Sequence, residues 1–199
     1  MLRPVTRAGH LYIVSGPSGA GKGTLVEAVR HRVPDIWVSV SATTRPPRPG
    51  EREGVEYFFL SSEEFSRLVD RGGFLEWAEV HGNRYGTLRE PVDRAVVEGR
   101  PVVLEIDPQG AMQVKRAVPE SSLVFVKAPS FDELKRRLVG RGSETSEQVE
   151  TRLKTAEGEM AFAGTYDFVV INDDVSRATD ELAAIVSGEV RRETPEKED

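Results

Sequence analysis

The sequence predicts an α/β protein built on a doubly wound, parallel, five-stranded sheet. Three observations predict it. Apolar runs alternate with helix-period segments along nearly the whole chain, the pattern of repeated βα units. Three of the runs, 102–106, 123–126 and 168–171, are near-continuous Val, Ile, Leu and Phe, as expected for strands covered on both faces. A glycine-rich stretch, 16–24, joins the first apolar run to the first helical one.

The elements follow in order. Leu11, Tyr12, Ile13 and Val14 form the first strand. A helix near 24–32 places Leu25, Val29 and Val33 on one face. Residues 37–40 make a second strand. The stretch 41–90 differs and reads as a small mixed α/β insertion. It opens with a loop, 43–54 (TTRPPRPGEREG), and continues with short runs at 57–60, 74–77 and 84–87. Ser61 and Glu64 are spaced as a capping box for a short helix between the first two runs. His81, Gly82 and Asn83 supply turn residues between the last two. Beyond the insertion come strand 102–106, helix 109–117, strand 123–126 and helix 131–139, the last opened by a second capping box, Ser130 with Glu133. An irregular stretch, 140–145, then precedes helix 147–161, strand 168–171 and helix 177–189.

Composition excludes several classes. With 199 residues, 38% hydrophobic and 30% charged, the chain suits one soluble domain with a subdomain. No apolar run approaches the ~20 residues that span a bilayer. Residues 1–10 carry Arg3, Arg7 and His10 but no apolar signal core, so the cytoplasm is the expected compartment. Cysteine is absent, which excludes disulfides, thiolate metal sites and a Cys nucleophile. The net charge of −6 argues against broad binding to nucleic-acid backbones, so an anionic ligand must meet a local cluster of cations.

The sharpest motif is Gly16-Pro17-Ser18-Gly19-Ala20-Gly21-Lys22-Gly23-Thr24, after a strand and before a helix. Glycines let backbone N–H groups surround phosphate oxygens, the helix amino end adds partial positive charge, and Lys22 reaches the outer phosphates. The usual G-K-[ST] ending is broken by Gly23, with Thr24 next. Either Thr24 serves as the Mg²⁺ ligand or water and phosphates hold the ion.

Other candidates each carry two readings. Arg45 and Arg48 lie in a loop stiffened by Pro46, Pro47 and Pro49; they form a phosphate clamp or a solvated basic loop. Glu76 sits among Phe74, Leu75 and Trp77. Its carboxylate accepts from paired N–H donors such as guanine N1 and N2, or simple strand alternation turns it outward. Asp107 ends an apolar strand, either as a carboxylate near Mg²⁺ or as the N-cap before Pro108 and Gly110. Arg141, between two glycines, swings toward a transferring phosphoryl group or belongs to a loose surface connection; Arg152 follows on the next helix.

Taken together, these motifs resemble guanylate kinase. The strings that carry the resemblance are GPSGAGKGT (16–24), SVSATTRPPRPGE (39–51), GVEYFF (54–59), FLEWAEVHGNRYGT (74–87), LEIDPQGA (104–111), RRLVGRG (136–142) and VVINDD (169–174). They run in the family's order over about residues 10–190. The resemblance implies a P-loop core (10–40 and 91–190), a GMP-binding insertion (about 41–90) and a helical lid (about 138–163). A flexible 1–9 and a disordered charged tail, 191–199, are expected to flank this single domain.

The resemblance also implies roles. Ser41, Arg45, Arg48, Tyr57 and Tyr85 would bind the GMP phosphate; Glu76, Thr87 and Asp107 would read the guanine edge. Residues Gly16 to Thr24 would hold ATP, with Lys22 on its phosphates, Asn172 beside the adenine and Arg141 and Arg152 in the lid. Mg²⁺ would accompany ATP, with Thr24 as the candidate ligand. The implied reaction moves the γ-phosphoryl group of ATP to GMP or dGMP, in a monomer or homodimer that engages neither nucleic acid nor membrane. The GMP phosphate is already an anionic nucleophile at neutral pH, its second pKa being about 6, so the reaction needs cations and excluded water rather than a base. His10, His31 and His81 are therefore not required. Two other readings compete: a phosphopeptide-binding module of the same fold, and a kinase for a different small acceptor.

Overall fold

A computed structural model describes residues 9–80, 82–139 and 146–190. The readings placed on 1–8, His81, 140–145 with Arg141, and 191–199 lie outside the described residues. The described chain forms β1 (Leu11–Ser15), α1 (Lys22–Arg30), β2 (Trp37–Val38), β3 (Ser41–Thr43), β4 (Phe58–Phe59), α2 (Ser62–Asp70), β5 (Phe74–Val80), β6 (Asn83–Leu88) and α3 (Arg89–Val97). It continues with β7 (Val102–Glu105), α4 (Pro108–Ala117), β8 (Ser122–Lys127), α5 (Phe131–Val139), α6 (Ser146–Met160), a 3₁₀ turn (Ala161–Thr165), β9 (Phe168–Ile171) and α7 (Val175–Val186). A five-stranded sheet has the order β2-β7-β1-β8-β9, and a four-stranded sheet the order β4-β3-β6-β5. Two compact units divide the chain, the described residues of Met1–Ile13 with Asp35–Ser121, and of Val14–Pro34 with Ser122–Asp199.

In the first unit, β2 and β7 pair in parallel, Trp37 opposite Val102 and Val38 opposite Val103. The four-stranded sheet is mixed. β3 runs parallel to β4 and antiparallel to β6, and β5 and β6 form a hairpin. The expected capping box starts α2: Ser61 Oγ accepts from the Glu64 N–H and the Glu64 carboxylate accepts from the Ser61 N–H. That helix buries Phe65, whose ring stacks on Phe74 at 4.4 Å beside Ala42.

In the second unit, β8 and β9 pair in parallel and α1 packs against α7. Leu134 and Leu138 of α5 join Ala128 and Ala156 in a buried cluster. The second capping box is half as expected. Ser130 Oγ accepts from the Glu133 N–H, while the Glu133 carboxylate takes Arg136 and Arg137.

Three expectations need correction. β9 is an edge strand, so Val169 and Ile171 are exposed rather than covered on both faces. β3 was not foreseen because three residues, Ser41–Thr43, carry a single apolar side chain, and pairing on both sides makes the strand. α3 was not foreseen either; Val92 and Ala95 give it an apolar stripe, and Pro91 sits in its first turn, where proline is tolerated.

Candidate active site

The glycine loop lies in the second unit, between β1 and α1. Gly16, Gly19 and Gly21 hold φ of 136°, 85° and 89°, a region cheap only for glycine. Gly21 is the N-cap of α1, so no side chain occupies the first N–H groups of that helix, which are left for an anion. Lys22 donates to the carbonyl oxygens of Gly16 at 2.5 Å and Pro17 at 3.1 Å, folding its ammonium across the loop. Arg152, on α6, donates to Ser18 Oγ at 2.9 Å, bringing a second cation to the same loop. Thr24 is exposed in the first turn of α1. Asn172, 3% exposed, donates its amide to the Ala20 carbonyl at 2.8 Å and thereby fastens the loop to the end of β9.

The first unit contains a cavity of about 260 Å³ that gathers Ser41, Tyr57, Glu76, Tyr85 and Asp107. Five residues from five separated segments thus share one concave surface. Thr87 is buried beside it, and its hydroxyl donates to Glu76 Oε1 at 2.7 Å. Simple alternation would have turned Glu76 outward. A β-bulge between Phe74 and Glu76 shifts the register against β6, and Phe74, Leu75 and Glu76 are buried in succession. The bulge therefore directs the carboxyl inward. Burial pushes its pKa up to about 7; the Thr87 hydrogen bond opposes this and the charge of Asp107 adds to it.

Asp107 takes the N-cap position. Its Oδ1 accepts from the Gly110 N–H at 2.9 Å as the N-cap of α4, and the residue also lines the cavity. Arg45 stands over the Tyr57 ring at 5.3 Å, and Tyr57 meets Tyr85 edge-on at 6.2 Å. Arg48 is exposed at the tip of its loop. A roomier cavity, about 820 Å³, lies along α2 and α3 and gathers none of the predicted site residues.

The guanylate kinase family model matches residues 8–189. The chain belongs to the guanylate kinase family. It is 51% identical to the guanylate kinase of Thermobifida fusca over 178 residues, 89% of this chain and 91% of that one. It is 52% identical to the guanylate kinase of Cutibacterium acnes over 185 residues, 92% of this chain and 91% of the relative. Among solved structures, it resembles the crystal structure of guanylate kinase from Anaplasma phagocytophilum with a TM-score of 0.72 and 33% identity. That match covers 94% of this chain and 88% of that one.

Three residues at or near the cavity carry no functional reading in the sequence. Glu51 holds Arg45. Glu105 lines the cavity next to Asp107. Gly110 leaves room for Glu76: a Cβ there would fall 2.9 Å from Glu76 Oε2. The signal for Gly110 was present, a glycine three residues after an N-cap aspartate, inside a helix that would favour alanine.

Proposed function

We propose that the chain transfers the γ-phosphoryl group of ATP to GMP, and to dGMP, giving ADP and GDP in purine nucleotide metabolism. The observation that carries this reading is the buried carboxyl of Glu76, aligned by Thr87 at a cavity that also holds Tyr57 and Tyr85. A carboxylate accepts two parallel N–H donors, which guanine offers at N1 and N2 and adenine does not. Asp107 lies on the same cavity and is assigned to the base as well.

The remaining assignments follow charge. Ser41, Arg45, Arg48, Tyr57 and Tyr85 take the acceptor phosphate. The loop N–H groups from Gly16 to Thr24 and the ammonium of Lys22 take the donor's phosphates, Asn172 fixes the loop near the donor base, and Arg141 and Arg152 neutralise charge as the phosphoryl group moves. No side chain needs to remove a proton, because the acceptor phosphate is ionised at neutral pH.

Among the described residues, no group of three or more His, Asp or Glu is arranged to hold a metal. Mg²⁺ would be held by the exposed Thr24 hydroxyl, or by phosphate oxygens and water. When bound, the ion supplies charge neutralisation on the phosphates. No described helix is long and apolar enough to cross a membrane, and the reading expects action on cytoplasmic nucleotide pools, without nucleic-acid partners.

A coupled ADP-release assay with GMP, dGMP, AMP, UMP and shikimate tests the proposal. Turnover is expected with GMP and dGMP. Equal turnover with AMP or UMP, or binding of a phosphopeptide with no turnover, would overturn it.

A further inference from the structure

The loop that carries both arginines ends in a tight turn. Glu51 N–H donates to the Arg48 carbonyl at 3.0 Å, Pro49 and Gly50 are its central residues, and Gly50 has φ of 91°. This is the pattern of a type II turn, with proline entering and glycine at the position that demands positive φ. The turn returns the Glu51 side chain toward the start of its own loop.

There the carboxylate meets three donors. Arg45 gives it two parallel bonds, Nη2 to Oε1 at 2.8 Å and Nη1 to Oε2 at 3.0 Å, and the Arg48 N–H adds one to Oε2 at 2.7 Å. Arg45 Nη1 also donates to the Pro46 carbonyl at 2.7 Å. The pair is well covered, the side chains being 12% and 17% exposed.

A guanidinium has five N–H donors and two usable forks. Glu51 and Pro46 consume both hydrogens of Nη1 and one of Nη2. What remains is the other fork, Nε with the second Nη2 hydrogen. Tyr57 underlies the same guanidinium, and Tyr85 meets the Tyr57 ring edge-on. Both tyrosines line the acceptor cavity. Glu51 thus grips the end fork of Arg45 and leaves the side fork to a phosphate, with the guanidinium lying on a tyrosine that lines the cavity.

We propose that Glu51 is a positioning residue for acceptor-phosphate binding, acting through Arg45 and through the Arg48 backbone. The assignment rests on the functional reading above. It makes Glu51 part of the recognition of a phosphorylated acceptor, although as an anion it would never be chosen to touch phosphate. It also accounts for the spacing between Arg45 and Glu51: two prolines, the second arginine and a Pro-Gly turn are what bring the carboxylate back.

The test is steady-state kinetics of wild type, Glu51→Gln and Glu51→Asp, with GMP and ATP varied separately, alongside calorimetric titration of GMP and guanosine. Losing one charge-assisted contact corresponds to about a tenfold change. Glu51→Gln is expected to raise KM for GMP about tenfold or more and to narrow the GMP-to-guanosine affinity ratio by a similar factor. KM for ATP and the melting temperature should hold. Glu51→Asp keeps the charge and should fall between the two. An unchanged or lowered KM for GMP in Glu51→Gln, with wild type active, overturns the assignment. So does an equal loss of GMP and guanosine affinity, which would mean that the whole cavity has shifted. If Glu51→Gln does not fold, Glu51→Asp decides by the same split between KM for GMP and KM for ATP. A wild type that turns over no GMP would instead sink the functional reading itself.

Discussion

At the scale of residues, the acceptor cavity is governed by one conflict, a carboxyl that chemistry needs ionised and burial prefers neutral. Glu76 has its pKa at about 7 in the folded chain, against 4.5 ordinarily. Between those values the folded chain holds a proton that the unfolded chain has released, so stability falls as pH rises from about 4.5 to 7. Keeping Glu76 ionised at pH 8 costs on the order of 3 kcal/mol. Urea denaturation from pH 5 to 8 should therefore show wild type losing more stability than Glu76→Gln; parallel curves would contradict this. On the proposed reading GMP takes the ionised form, so its affinity should rise with pH up to about 7. The acceptor phosphate titrates near 6 in the same direction, and the part of the slope that vanishes in Glu76→Gln belongs to the carboxyl. The same variant should lower the GMP-over-AMP preference, because an amide presents a donor where an acceptor is needed. Gly110→Ala separates function from stability. Alanine favours a helix by roughly 0.5–1 kcal/mol, yet its Cβ would crowd Glu76 Oε2. A raised KM for GMP with unchanged KM for ATP is expected.

At the scale of elements, the site depends on where strands break their own rules and where helices begin. The bulge in β5 and the Pro49-Gly50 turn each redirect one carboxylate, and the uncapped start of α1 leaves backbone donors for an anion. Lys22→Ala should abolish transfer while calorimetry finds GMP affinity retained, since the lysine serves the donor loop; loss of GMP binding would contradict that division. Phe65 holds α2 on the four-stranded sheet, and Phe65→Ala should cost about 3–5 kcal/mol in urea denaturation. Motif-bearing elements were legible in the sequence because their signals are local. The bounds of α5 and β9, the capping box of α2 and the loop between β1 and α1 are all set by neighbours within a few positions. β3 and the exposure of β9 were not legible, because pairing and edge position are properties of the sheet rather than of the segment. Glu76 was readable as a candidate but not as a buried one, since nothing in FLEW announces a bulge. Glu51 was invisible as a partner of Arg45 until the turn between them was seen.

At the scale of the whole molecule, the chain joins two chemistries in one family fold. One unit supplies a glycine loop with Lys22 and Arg152; the other supplies a cavity with a buried carboxyl, two tyrosines and a braced arginine. The net charge of −6 makes the local cations at these two places matter, because the protein as a whole does not attract phosphates. The most direct test follows the phosphoryl group itself. ATP labelled at the γ-phosphate is incubated with the chain, Mg²⁺ and GMP, and the products are separated. The account predicts label in the β-position of GDP, with little inorganic phosphate, and no labelled ADP when AMP replaces GMP. Label released as inorganic phosphate regardless of GMP, or retained in ATP, would contradict it.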